Sequence, residues 1–248
     1  MKNSILQYLR KHGFRSFCPE AVLFDMDGVL FDSMPNHAVS WHESMATFGL
    51  EIPLEGAYRY EGMRGVETIK LLAREQWHRE LIDDEAQRMY EAKSALFARQ
   101  PAPQKMDGIE HLMQQIHKDG MTIGVVTGSG QHTLLDQLEK GFMGFVRREH
   151  IVTSYDVTHG KPAPDPYLAG MRKCGVQPWQ TIVVENAPLG ILSAVAAGCF
   201  TIGVNTGPLA DNELLAAGCD LLLADISHLD KAWADIVKAT RQTDDSGK

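Results

Sequence analysis

The sequence has few cysteines, no excess of basic residues and no secretion signal. Its four cysteines among 248 residues are scattered without metal-ligand spacing, which favours reduced thiols in a cytoplasmic protein over a disulfide framework. Lys and Arg number 24 against 32 Asp and Glu, and the formal net charge of −8 argues against a nucleic-acid or anionic-membrane partner. In residues 1–14 the apolar run is short and is followed by basic residues, unlike a signal peptide.

We also do not expect a membrane-spanning segment. No residue between Asn186 and Ala210 carries a charge, but prolines and glycines interrupt this stretch repeatedly. We expect a buried helix, a turn and a buried strand there.

What is present is typical of a globular α/β protein, with 44% hydrophobic and 23% charged residues. Short apolar runs predict strands, and helical patterns lie between most of them, which indicates a parallel sheet with a Rossmann-like, three-layer core. The predicted strands cover residues 21–24, 122–126, 151–153, 181–184, 201–204 and 221–223.

The interval between Phe24 and Met121 has helical patterns and no apolar strand. We expect Ser33 to cap a helix that has Pro35 in its first turn and buries Trp41 and Phe48, among others, on one face. Two further helices are predicted at residues 66–77 and 83–97. The predicted division is an N-terminal extension at 1–20, a core at 21–33 and 104–248, and an inserted α-helical cap domain at 34–103.

Two aspartates follow the first predicted strand, in the segment Asp25-Met26-Asp27-Gly28. Carboxylates at positions i and i+2 beyond a strand end can reach one small site, with Asp25 as a nucleophile toward phosphorus and Asp27 as general acid and base. Two carboxylates that face a phosphate repel it unless a cation intervenes, so the pair implies Mg²⁺. Alone, however, the segment is also compatible with an ordinary Asp-Gly turn.

Three later sites, each just beyond a predicted strand, support the chemical interpretation. Thr127, Gly128, Ser129 and Gly130 offer a hydroxyl and backbone N–H groups for a phosphate. Lys161 precedes a proline-bounded helix start and supplies a counter-charge. Glu185 and Asn186 offer oxygens to Mg²⁺.

In this order the four motifs resemble the haloacid dehalogenase superfamily, and the inserted helical region resembles the cap of its β-phosphoglucomutase-like branch. The resemblance implies a mobile cap and an Mg²⁺-dependent aspartyl-phosphate intermediate. By position, Asp25 matches the nucleophile and Asp27 the general acid/base, whose backbone carbonyl also binds the metal. Thr127 and Lys161 match phosphate-binding positions. The metal set implied is Asp25, Asp27, Glu185 and Asn186.

The chain departs from the family pattern at two positions. Asn186 stands where the family usually has aspartate, which predicts weaker Mg²⁺ binding. Glu61 stands in the cap loop where mutases of this branch have lysine, either as a surface charge or as a group that closes over the site. Arg64 lies in the same loop, and His37 and Lys93 stand where those mutases have polar cap residues.

A carboxylate in the closed site favours hydrolysis, since a mutase must keep water from its aspartyl phosphate. Together with Glu61, the segment at 183–190 resembles a subgroup that includes bacterial inorganic pyrophosphatases. We therefore expect a phosphohydrolase of a small phosphate compound, with pyrophosphate or a sugar phosphate as candidate substrate. The alternatives are a β-phosphoglucomutase and a non-catalytic ligand-binding relative. A cap that opens and closes suits a monomer.

Overall fold

The computed structural model describes residues 1–129 and 132–244. Within these ranges the strands form a six-stranded parallel sheet in the order β3-β2-β1-β4-β5-β6. The strands are β1 (Ala21–Phe24), β2 (Thr122–Val126), β3 (Ile151–Val152), β4 (Thr181–Glu185), β5 (Phe200–Val204) and β6 (Leu221–Leu223). The predicted strands are confirmed. β3 ends one residue earlier than predicted, β4 ends one residue later, and β5 begins one residue earlier.

The helices of the described residues lie between these strands and at both ends of the chain. They are α1 (Lys2–His12), α2 (Met34–Phe48), α3 (Gly65–Trp77), α4 (Asp83–Phe97), α5 (Ile109–Lys118), α6 (His132–Gly141), α7 (Asp165–Cys174), α8 (Pro188–Ala196), α9 (Asp211–Ala216) and α10 (Ile226–Asp244). The uncharged stretch from Asn186 to Ala210 contains α8 and β5, as predicted. In the described part of the chain, no helix is long and apolar enough to cross a membrane.

The central strand β1 is buried on both faces, and its alternating side chains enter two different apolar layers. Val22 and Phe24 belong to a cluster that includes residues of α5 and α10. Ala21 and Leu23 belong to a cluster that includes residues of α7 and α8. The core is thus a three-layer α/β structure, as predicted.

The two strands that pair with β1 determine where a site can form. β1 pairs with β2 on one side and with β4 on the other, so that Phe24 lies opposite both Val125 and Val184. Because the strands are parallel, the residues after β1, β2 and β4 emerge at one edge of the sheet. This edge is the usual ligand site of open α/β sheets.

The helices α2, α3 and α4 follow β1 directly and pack around an apolar cluster of their own, which includes Met45, Ile69 and Met89. The prediction that Phe48 shares the buried face of α2 is wrong, because its side chain is 39% exposed. Phe48 is the last residue of α2, and the chain turns at Gly49 with a positive φ of 81°.

The N-terminal segment packs on the core. Ile5, Tyr8 and Phe17 are buried in the same apolar cluster as β1. The Tyr8 hydroxyl donates to the backbone carbonyls of Pro178 and Gly198, at 3.0 and 2.9 Å. Residues 1–20 therefore contribute to the core layer.

Candidate active site

The edge of the sheet brings the side chains of the four sequence motifs together. The Asp25 N–H donates to the Val184 carbonyl at 3.0 Å, which continues the β1–β4 pairing by one residue. Likewise the Thr127 N–H donates to the Val152 carbonyl at 2.9 Å. These bonds place Asp25 and Thr127 at the ends of neighbouring strands, and both side chains are buried.

Lys161 connects two of the motifs. Its ammonium donates to Asp25 Oδ1, to Glu185 Oε1 at 2.6 Å and to the Val126 carbonyl at 3.1 Å. The lysine side chain is only 1% exposed, and the three acceptors match the three donors of an ammonium group. Burial alone would lower the pKa of Lys161, but the charges of Asp25 and Glu185 raise it, so the ammonium stays charged.

The environment of Asp25 differs from that of Asp27. The pKa of Asp25 is raised to about 8, because burial and the charges of Glu185 and Asp27 together outweigh the lowering effect of the nearby Lys161. Burial also acts to raise the pKa of Asp27, but the charge and hydrogen bond of His37 and the hydrogen bond of Ser33 lower it below its usual value. The two carboxyl groups therefore titrate differently: Asp25 favours its neutral form and Asp27 its ionised form.

Asp27 is held by side chains that follow it in the chain. The Ser33 hydroxyl donates to Asp27 Oδ1 at 2.6 Å, and His37 Nε2 lies 3.1 Å from the same oxygen. The expectation that Ser33 caps α2 with its side chain is wrong, since it makes no side-chain cap hydrogen bond. Its hydroxyl is committed to the carboxylate instead.

Lys93 of α4 completes this arrangement from the cap. Its ammonium lies 2.6 Å from His37 Nδ1, so Nδ1 is the acceptor and Nε2 carries the proton that points at Asp27. Trp41 and Phe97 flank the ammonium, at 5.2 and 5.0 Å from their ring centroids. Burial lowers the pKa of Lys93 to about 7, while the charge of Asp27 acts to raise it.

The lowered pKa of Lys93 leads to a prediction about the free energy of unfolding. Since its folded-state pKa lies below the unfolded value of 10.5, the charged form destabilises the fold at neutral and acidic pH. This cost decreases as the pH rises from about 7 and is gone only above the unfolded value. We expect Lys93→Met to raise the free energy of unfolding by more than about 2 kcal/mol at pH 6, with a smaller gain at pH 9.

The measurement is urea unfolding of both proteins at pH 6 and 9. Lys70→Met is the matched control, because Lys70 pairs with Asp83 on the cap surface and its removal should change stability by less than about 1 kcal/mol. A Lys93→Met protein that is less stable than the parent at pH 6 would contradict the prediction.

Glu61 is a residue of the cap loop that enters the site. It is 7% exposed, and Asn186 Nδ2 donates to its Oε1 at 3.0 Å. Burial and the charge of Asp25 raise the pKa of Glu61 well above its ordinary value. Of the two interpretations of this residue, the structure supports the group that closes over the site and not the surface charge.

Glycines allow the cap loop to approach the core. Gly28 has a positive φ of 77°, and a Cβ there would lie 2.1 Å from Asn186 Nδ2. A Cβ at Gly128 would lie 2.3 Å from the Gly62 carbonyl oxygen. The absence of a side chain at Gly128 lets the backbone of Gly62 pass directly over the loop after β2, and Gly28 leaves room for the Asn186 side chain that bonds to Glu61.

The cap is also seated on the core away from the site. The Tyr58 ring packs with the apolar cluster around α9 that contains Leu214, and Arg59 pairs with Glu213 at 3.2 Å. Arg64 donates to the Thr158 carbonyl at 2.8 Å. Arg64 was predicted as a cap or substrate residue, but the structure does not bring it to the cavity.

A cavity of about 50 Å³ remains between cap and core. Its lining residues come from both parts and include Asp25, Asp27, His37, Trp41, Tyr60, Glu61, Tyr90, Lys93, Gly128 and Ser129. Ligand pockets for drug-sized molecules are about 300–1,000 Å³, so this partly open cavity leaves little space between cap and core. In the loop after β2, the Ser129 N–H donates to Thr127 Oγ1 at 2.9 Å, and Gly130 lies outside the described residues.

The fit of Mg²⁺ can be judged from the oxygen atoms at the site. Glu61 Oε2 and Asn186 Oδ1 are buried and have no hydrogen-bond partner. Both oxygens of Glu185 are already engaged, by Lys161 and Tyr167 on Oε1 and by two backbone N–H groups on Oε2. Within residues 1–129 and 132–244 no three His, Cys, Asp or Glu side chains form a ready-made metal centre. The unpartnered oxygens nevertheless match the hard donors that Mg²⁺ takes.

Two functional contacts could not be predicted from local sequence. Ser33 resembles a helix cap, and Tyr167 resembles a core aromatic, yet each donates a hydrogen bond to a site carboxylate. A hydroxyl-bearing residue at a fully buried position of the fold is a signal for such contacts, but burial is known only from the structure.

The sheet order, the carboxylate pair after β1 and the inserted helical cap define a class of hydrolases, and a family model confirms it. The model described as "Haloacid dehalogenase-like hydrolase" matches residues 22–204, and the chain belongs to this family. It is therefore an enzyme of this hydrolase family, with activity of the phosphatase or phosphoglucomutase-like kind.

Individual relatives agree with this class. The chain is 32% identical over 183 residues to "Hexitol phosphatase A" of Escherichia coli, covering 74% of this chain and 82% of that protein. It is 29% identical to "Validoxylamine A 7'-phosphate phosphatase" of Streptomyces hygroscopicus, covering 85% and 95%. A solved structure, "Putative beta-phosphoglucomutase from Bacteroides vulgatus", is 44% identical with a TM-score of 0.91 and covers 98% of this chain and 97% of that one.

Proposed function

We propose that this enzyme is an Mg²⁺-dependent hydrolase of compact phosphate compounds that works through a phosphate ester of Asp25. The observation that carries the proposal is the placement of Asp25: a buried carboxylate at the end of β1, bonded to Lys161 and close to Asp27. A buried carboxyl group that can attack phosphorus, with a second carboxyl group beside it for proton transfer, is the arrangement that such a two-step reaction requires.

In the first step, an Asp25 oxygen forms a bond to phosphorus while the bond from phosphorus to the leaving oxygen breaks. Asp27, in the protonated form that the second step of each turnover regenerates, gives its proton to that oxygen and becomes ionised. In the second step water attacks the same phosphorus, Asp27 takes the water proton, and Asp25 leaves as a carboxylate. The ionised Asp27 of this structure, held by Ser33 and His37, is in the state that the second step needs.

The chain's own groups provide most of the charge balance. Lys161 offsets the carboxylates of Asp25 and Glu185, and we propose that Thr127, Gly128 and Ser129 bind the phosphoryl oxygens. Asp25, the Asp27 backbone carbonyl and the Asn186 side-chain oxygen would hold Mg²⁺, with Glu185 supporting from behind. When bound, the metal offsets negative charge on the phosphoryl group.

Substrate size follows from the cavity. About 50 Å³ is the space of a few water molecules, so the closed site accepts a short leaving group. Pyrophosphate and the shortest phosphate esters meet this limit. The relatives reported above are described as acting on organic phosphates and give no support to pyrophosphate, which stays a candidate on size alone.

The β-phosphoglucomutase alternative is favoured by the similarity to the Bacteroides vulgatus structure. Two observations argue against it. The space left between cap and core in this arrangement is smaller than a hexose. Glu61 also brings a carboxylate with an unpartnered oxygen to the site, where it can bind the attacking water.

A phosphate-release assay with Mg²⁺ tests the proposal. Pyrophosphate, glycolate, glycerol and hexitol phosphates are compared, together with conversion of β-glucose 1-phosphate to glucose 6-phosphate. We expect kcat/KM to fall as the leaving group grows and mutase turnover to be slower than phosphate release. Faster isomerisation than phosphate release would replace the hydrolase by the mutase, and no turnover of any substrate would reject both.

The asparagine at position 186 leads to a separate prediction about the affinity for Mg²⁺. Its side chain offers a neutral oxygen where a carboxylate would add one negative charge, so we expect Asn186→Asp to bind Mg²⁺ about tenfold more tightly. Titration calorimetry without substrate measures this directly. Equal or weaker binding by the variant would show that Asn186 does not face the metal.

A further inference from the structure

Tyr167 is a core residue whose hydroxyl reaches the site. It lies in the first turn of α7, is fully buried, and its ring packs in the apolar cluster that includes Leu23 and Val183. Phenylalanine would fill that cluster equally well, so packing does not explain the hydroxyl. The hydroxyl donates to Glu185 Oε1 at 2.7 Å.

Glu185 is fixed from every side. Lys161 and Tyr167 both donate to Oε1, and the backbone N–H groups of Asn186 and Ala187 donate to Oε2 at 3.0 and 3.4 Å. A Cβ at Gly190 would lie 1.8 Å from Oε1, so the backbone of α8 closes the remaining side. Glu185 is therefore an anchor, and its place depends on these donors.

The anchor in turn determines where Lys161 lies. The lysine divides its three donors among Asp25, Glu185 and the Val126 carbonyl. Its ammonium is also 5.1 Å from the centroid of the Tyr167 ring. Tyr167 thus contacts both partners of the buried Lys161–Glu185 ion pair, through the hydroxyl and through the ring face.

We propose that Tyr167 is a positioning residue for the Asp25 nucleophile, acting through Glu185 and Lys161. Its hydroxyl satisfies part of the hydrogen-bonding capacity of Glu185 Oε1, which leaves Lys161 a donor for Asp25. Without the hydroxyl, Lys161 is the remaining donor to Oε1 and is drawn toward Glu185, away from Asp25. The inference rests on the proposed function, because it assumes that Asp25 attacks phosphorus.

The test is Tyr167→Phe, which removes the hydroxyl and keeps the ring. We expect kcat to fall about tenfold, the scale of one hydrogen bond to a charged group, while KM changes less than about threefold. Tyr8→Phe is the matched control, because Tyr8 is equally buried and its hydroxyl donates to two carbonyls far from the site. We expect it to lower the midpoint of thermal unfolding and leave kcat unchanged.

A double-mutant cycle with Glu185→Gln separates positioning from a general loss of structure. If Tyr167 acts through Glu185, the hydroxyl matters much less once the carboxylate is gone, and Tyr167→Phe costs less than about threefold in that background. Equal kcat for Tyr167→Phe and the parent, or the same tenfold loss in both backgrounds, would overturn the inference. An active Asp25→Asn variant would instead overturn the proposed function.

Discussion

Replacing Asp25 by asparagine abolishes phosphate release, with a loss of at least about 10³-fold in kcat, while the protein stays folded. The amide lacks the charged oxygen that attacks phosphorus, and nucleophile substitutions in covalent catalysis cost several orders of magnitude. The fold tolerates the change because burial already disfavours the charged form of Asp25, whose pKa is raised to about 8. Lys161 also keeps Glu185 as a partner.

The measurement is steady-state phosphate release by purified variant and parent, with circular dichroism to confirm the fold. Asp32→Asn is the control, because Asp32 is an exposed aspartate that follows the same motif and does not line the cavity. We expect its kcat to stay within about twofold of the parent. An Asp25→Asn protein that retains more than about a tenth of the parent activity would exclude Asp25 as the nucleophile.

The second large effect is on stability. Lys161→Met leaves Asp25 and Glu185, which are 2% and 1% exposed, without a counter-charge. Breaking a buried ion pair by removing one partner typically costs about 3–5 kcal/mol, because the remaining charge is buried and unpaired. We expect a loss of this size in the free energy of unfolding at pH 7, together with loss of activity.

The loss should depend on pH with a definite sign. In the variant, the pKa of Asp25 rises further because burial remains and the lowering effect of Lys161 is gone. A carboxyl whose folded-state pKa lies above its unfolded value adds stability below the unfolded pKa and loses it as the pH rises through the folded one. The deficit of the variant should therefore change little below pH 8 and grow as the pH rises above about 8, where only the parent's Asp25 ionises in the folded state.

Urea unfolding at pH 7 and pH 9.5 measures the deficit on both sides of this value. Lys173→Met serves as control, since Lys173 pairs with Asp156 in a partly exposed position and its loss should cost less than about 1 kcal/mol. Adding Asp25→Asn to Lys161→Met should restore part of the lost stability by removing one unpaired charge. A deficit that is small at pH 7, or equal at both pH values, would contradict this electrostatic account.

The parts of the site that follow strand ends could be predicted from sequence. Asp25, Thr127 and Glu185 each come directly after an apolar run, and parallel strands necessarily bring such residues to one edge of a sheet. The sheet itself and the helical insertion were predicted for the same reason, since apolar runs and helical periods are local features of the sequence.

Contacts between residues that are far apart in sequence could not be predicted in this way. Glu61 meets Asn186 across 125 positions of sequence, and Lys93 meets His37 across 56. His37 and Lys93 were expected at the site through the family resemblance and not through their spacing. Arg64 was expected there because it shares a loop with Glu61, but the loop turns it toward Thr158.

The hydroxyls of Ser33 and Tyr167 escaped prediction because their local signals point elsewhere. Serine before a helix with proline in its first turn is a common cap, and tyrosine on an apolar helix face is a common core residue. In both cases the decisive fact is a buried carboxylate within hydrogen-bond distance, which depends on how the chain folds back on itself.

The steric course at phosphorus tests the central claim most directly. The substrate is a phosphorothioate ester made chiral at phosphorus with oxygen isotopes, and the configuration of the released thiophosphate is determined. Transfer to Asp25 and then to water inverts phosphorus twice, so the account predicts net retention. Net inversion would show that water attacks the substrate directly, and an aspartyl-phosphate intermediate would then be excluded.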